Sequence, residues 1–154
     1  MATTEKSTGT LNDLIEINND RVAGFEKAIA DIKEDNADLK HLFQDYAAQS
    51  RQFGEELTGL VANEGGSAET GTSTGGTLHR AWIDVKSVFG AADREGILNE
   101  AERGEDAIKK AYKDALTDGE LSANAVATVT AQAQEIQASH DHIKALRDAS
   151  NKNS

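Results

Sequence analysis

Four polar residues stand where apolar ones are expected, one on each of four apolar stripes, and their types could ligate a metal or build a buried hydrogen-bond network. Asn18 lies seven residues after Leu11 and seven before Phe25. Gln49 or Ser50 fills the place between Tyr46 and Phe53. Glu105 lies four after Ala101, three before Ile108 and seven before Tyr112, and His140 lies four after Ile136 and three before Ile143. A buried polar group costs free energy unless it finds a partner, so the four are expected to meet.

Helical bundles that hold two irons or manganeses supply a Glu from each of two helices and a Glu-x-x-His from each of the other two. Against that pattern Glu105 keeps one carboxylate and Asn18 replaces another with an amide. Gln137-x-x-His140 keeps the imidazole alone, and Gln49-x-x-Gln52 keeps neither. Neutral amides ligate hard dications poorly and do not balance their charge. The leading expectation is therefore a hydrogen-bond network with no cofactor, fixing helix register. The alternative is a weak mononuclear iron or manganese site on Glu105 and His140, with Asn18, Gln49 and Gln137 beside it.

Other groupings are weaker. His79, Arg80, Trp82 and Asp84 cluster where Trp82 could anchor a partner, although a Trp more often packs a crossover onto its bundle. In His140-Asp141-His142 only His140 points inward, because adjacent helical residues face different ways. Glu100, Glu102 and Asp106 read as a solvated face, Glu105 excepted. No Ser/His/Asp set assembles, and the glycines at 65–76 lack a phosphate-loop pattern.

Amphipathic helices must position these residues. Leu11, Leu14, Ile15, Val22, Phe25, Ile29 and Ile32 mark a helix over about 11–33, started by Thr10 and Asp13. Asp35 or Asn36 caps a second, which carries Leu39, Phe43, Tyr46, Phe53, Leu57 and Val61 and ends near Asn63. Residues 64–76, EGGSAETGTSTGG, read as a flexible crossover and the most mobile internal segment. Leu78, Trp82, Val85 and Phe89 give a further stripe that weakens at Gly90 and restarts near Asp93, running through Ile97, Ile108 and Tyr112. Thr117–Glu120 turns, Ser122 caps, and Val126, Val129, Ala133, Ile136, Ile143 and Leu146 carry the last helix. The result is an all-α bundle of two antiparallel hairpins joined by one long crossover, the ferritin-like connectivity. Residues 10–148 form the domain, with a disordered tail at 1–9 and a frayed one at 149–154.

Composition supports this. Proline is absent, aromatics are 5%, and 38% of residues are hydrophobic, enough for one core. A net charge of −11 repels nucleic acid and anionic membranes. No run approaches the roughly 20 apolar residues of a membrane span. The absence of cysteine excludes disulfides and thiolate chemistry. A cytoplasmic location is the default expectation.

The segments LNDLIEINNDRVAGFEKA, LHRAWIDVKSVFG, ERGEDAIKKAYKDAL and SHDHIKALRDA resemble an uncharacterised bacterial family of ferritin-like four-helix-bundle proteins, a domain of unknown function, over about residues 10–148. The resemblance implies the ferritin-like fold and no established activity. Ferritins and rubrerythrins carry a Glu seven before a Tyr on helices one and three. Glu105 and Tyr112 match that pattern, Asn18 and Phe25 depart from it, and His140 stands in place of the fourth-helix histidine. NNDRVAGFEKA also aligns with GEDAIKKAYKDA, as in a duplicated hairpin. The expected function is a non-enzymatic structural or interaction protein, stress-associated by that resemblance, which meets a second copy of itself or a protein partner. The alternative is a metal-binding protein with a degenerate site and weak oxidase activity.

Overall fold

The computed structural model describes residues 4–32, 36–69 and 94–152. Four helices account for most of them: α1 (Thr4–Asp31), α2 (Ala37–Asn63), α3 (Arg94–Thr117) and α4 (Ala123–Lys152). There is no strand among the described residues. α1 packs chiefly on α2 and α3 on α4, and the two hairpins meet through α1 against α3 and α2 against α4.

The direction of each helix follows from its partners. Thr10 reaches Glu120, Asn18 reaches Tyr112 and Arg21 reaches Glu105, so α1 and α3 run antiparallel. Ser139 reaches Gln49, Gln132 reaches Glu56 and Ser122 reaches Glu64, so α2 and α4 do too. α2 and α3 therefore point the same way. The end of α2 and the start of α3 lie at opposite ends of the bundle, about 40 Å apart for a helix of this length.

The core arises from steps of three and four. On α1 these are Leu11, Leu14, Asn18, Arg21, Phe25 and Ala28, followed by Ile32 just past its end, all buried. Each wholly buried Leu or Phe contributes about 1.5–3 kcal/mol relative to exposure. Phe25 stacks on Phe43 at 4.9 Å and on Tyr46 at 5.7 Å, both tilted.

Both ends are tied by polar side chains. Ser7 Oγ and Ser122 Oγ donate to Glu64 Oε2, each at 2.9 Å, and Thr8 Oγ1 donates to Oε1 at 3.0 Å. One carboxylate thereby joins the starts of α1 and α4 to the end of α2. At the opposite end Arg94 holds Asp38 through both oxygens, at 3.0 and 2.7 Å. The guanidinium lowers the Asp38 pKa, its hydrogen bond being the largest cause.

The boundaries differ from the sequence reading in several places. α1 begins at Thr4, so residues 4–9 are helix, and Thr10 bonds Glu120 instead of capping. The buried Ser7–Glu64 contact rewards the extra turns. α4 continues to Lys152. Asn36 precedes α2 without a side-chain cap bond and accepts from Arg94 instead. Val126 is 41% exposed, and Ala125 takes the inward place. Ser122 does cap α4, accepting from Ala125 N–H at 3.3 Å. The crossover opens with Gly65 at φ +82°, where Gly66 N–H closes back on Val61 O, a left-handed helix stop that suits glycine. Asn12 then holds it, donating to Ser67 O and accepting from Glu69 N–H. Residues 70–76, the stripe Leu78–Phe89 and the His79, Arg80, Trp82, Asp84 group lie outside the described residues.

Candidate functional site

The buried polar residues sort into two neighbouring groups. The first is centred on Arg21, which α1's stepping places between Asn18 and Phe25 and which is wholly buried. Its Nε donates to Glu105 Oε1 at 2.7 Å and its Nη2 to Oε2 at 2.9 Å, a two-pronged pair with both side chains fully enclosed. Nη1 donates to Gln49 Oε1 at 2.8 Å and Ser50 Oγ at 2.9 Å. The guanidinium also lies over Phe25 and Tyr46, 5.4 and 5.3 Å from their ring centres. Such saturation offsets the heavy cost of desolvating two charges.

The network continues along the axis. Asn18 Nδ2 donates to Leu14 O at 2.9 Å and to Tyr112 OH at 2.8 Å, while its Oδ1 accepts from Ser50 at 2.9 Å. Tyr112 passes its proton on to Gln132 Oε1 at 2.7 Å, and Gln132 Nε2 reaches Glu56 at 2.9 Å. Burial pushes the Tyr112 phenol upward. Burial, aided by the nearby Glu105 charge, pushes Tyr46 up to about 12.

The second group lies between α3 and α4. Glu102 and Asp106 are one turn apart on α3. His140 Nε2 is 2.6 Å from Asp106 Oδ1 and 3.7 Å from Glu102 Oε1. Its Nδ1 is 3.1 Å from Asp141 Oδ1, which also accepts from Gln137 at 2.9 Å. Arg147 pairs with Glu102 Oε2. His140 and Glu102 are buried, whereas the Asp106 side chain is 59% exposed.

The structure thus brings Asn18, Gln49 and Glu105 together, through Arg21, and turns His140 to Glu102 and Asp106 instead. Gln137 supports Asp141 and not Glu105. Arg21 and Gln132 are the residues that reading the sequence missed. Both sit on strict three-four stripes, and taking Val22 and Ala133 as the inward residues hid them. The centre does not fit a carboxylate-bridged metal pair: the position such an ion needs holds a guanidinium, and both Glu105 oxygens are committed to it.

The family model described as a domain of unknown function (DUF2383) matches residues 6–118, which include α1, α2 and α3. A search of curated proteins returns no match to the chain.

Proposed function

The chain belongs to the DUF2383 family, and we propose that it is a non-enzymatic, ferritin-like bundle that works by presenting its helix faces to a second copy of itself or to a protein partner. The observation that carries this reading is the closed Arg21–Glu105 pair. Where a bundle enzyme would keep open ligands, this chain commits Glu105 to a guanidinium held by Gln49, Ser50 and two aromatic rings. A group so enclosed fixes the register of α1 against α2 and α3 and offers a substrate no open path. The hairpin–crossover–hairpin order supports the ferritin-like part of the reading.

The test is aerobic incubation of the metal-free chain with Fe(II) while oxygen is followed. Oxygen consumption at the rate of buffer alone is expected. Stoichiometric iron uptake with oxygen consumption, lost in Glu105→Gln, overturns the reading. Sedimentation equilibrium across a concentration series separates self-association from a role that needs a different partner.

A further inference from the structure

We propose that Glu102, Asp106 and His140 bind one divalent transition-metal ion, of the class of Zn(II) or Mn(II), in the groove between α3 and α4. This site shares no residue with the closed centre and does not rest on it.

Geometry is the first support. Glu102 and Asp106, four apart, share a face of α3, and His140 of the antiparallel α4 lies against them. One ligand atom from each falls within 4.8 Å of the others. Ligands about 2.1 Å from one ion stand about 3.0–3.4 Å from one another, the octahedral and tetrahedral values. The observed separations from Nε2, 2.6 Å to Asp106 and 3.7 Å to Glu102, bracket those values.

The surroundings of His140 are the second support. Both ring nitrogens face carboxylates, whose oxygens only accept hydrogen bonds. Nδ1 stands 3.1 Å from Asp141, which Gln137 holds in place, and Nε2 is turned toward Asp106 and Glu102. A histidine oriented by a carboxylate on its far nitrogen is the arrangement that metal sites use. Arg147 occupies Oε2 of Glu102 and leaves Oε1 turned to His140. Imidazole with two carboxylates suits a borderline first-row ion better than Ca(II) or Mg(II), which prefer all-oxygen shells. Exposure of Asp106 gives the ion a way in and leaves its remaining positions to water.

The experiment uses the full untagged chain, stripped with chelator. Calorimetric titration with Zn(II) is expected to show one saturable equivalent. Asp106→Asn removes a ligand from an exposed position, and Asp141→Asn removes the orienting carboxylate; each is expected to weaken binding by about tenfold or more. Substoichiometric Mn(II) is expected to broaden amide signals of residues 102–106 and 137–143 more strongly than those of Asn18 and Arg21. No saturable Zn(II) binding, or binding unchanged in Asp106→Asn, overturns this site and leaves the closed-centre reading intact. Broadening centred on Asn18 and Arg21 overturns both.

Discussion

Glu105 and its neighbours Glu102 and Asp106 stand within about one turn of α3, and all three meet a nitrogen base from another helix. Glu105 faces inward, where four helices enclose it. There every donor of the network has an acceptor, and the guanidinium fork matches the carboxylate oxygen for oxygen. Glu102 and Asp106 lie together on the adjoining face, where His140 of α4 meets them. The histidine there faces carboxylates with both ring nitrogens. Full enclosure selects pairs that are complete in themselves. Partial enclosure tolerates a set that is complete only with an added cation.

Breaking the enclosed pair should give the largest effect. Glu105→Leu leaves the Arg21 charge in the core without its counter-charge, and a loss of about 3–5 kcal/mol in urea unfolding is expected. The double variant Arg21→Met/Glu105→Leu removes both charges and should regain most of that stability. A single variant no worse than a surface change would show that water reaches Arg21 and that the two regions do not differ in kind. Tyr112→Phe comes next. It deletes the hydroxyl between Asn18 and Gln132, strands a donor on one and an acceptor on the other, and should cost about 1–3 kcal/mol by the same measurement.

Alkaline titration probes the enclosure without mutation. Tyr46 is raised from 10.0 to about 12, chiefly by burial, and Tyr112 is raised by the same cause. The folded state therefore holds these protons more tightly than the unfolded chain. The stability this contributes is intact below pH 10 and drains away as the pH climbs through about 12. The chain has two tyrosines, so tyrosinate absorbance should rise together with loss of helical circular dichroism. A smooth tyrosinate titration that is complete near pH 10 with the helices intact would place both rings in contact with water.

Much of this architecture was legible in the residues because burial repeats with the helix. The apolar steps along α1 and α2 and the pairing of helices into hairpins followed from spacing. The centre was half legible. Asn18, Gln49 or Ser50, and Glu105 stand out as interruptions of apolar stripes, and the inward face that each occupies follows from helical spacing. Arg21 was not marked. A full-length guanidinium in a core is rare, and the adjacent Val22 offered an easier stripe residue. The pairing of His140 was illegible for a different reason. Spacing along one helix gives the face a residue occupies but not the rotation of the facing helix, and a small rotation decides whether His140 meets Glu105 or Glu102. The start of α1 depended on Glu64, fifty-seven positions from Ser7, a contact no local signal carries.

The smallest expected effect sharpens the comparison most. The Asp106 side chain is mostly in water, so without metal Asp106→Asn should shift unfolding by less than about 1 kcal/mol, as for other exposed ion pairs. With Zn(II) present the two chains should separate. A ligand that binds only the folded state adds about 2.7 kcal/mol at a hundred times its Kd, and the variant, lacking one ligand, should gain much less at the same concentration. The informative quantity is therefore the difference between two melts of one chain, with and without the ion. If Asp106→Asn instead lost as much stability as Glu105→Leu without any metal, the groove would be a closed structural network like the centre, and the contrast between the two faces of α3 would fail. If both chains gained equally from Zn(II), the ion would be held by other acidic residues of this strongly negative surface. A gain confined to the wild type assigns it to the groove, because Asn keeps the size and hydrogen-bonding reach of Asp106 while removing the charge that a cation needs.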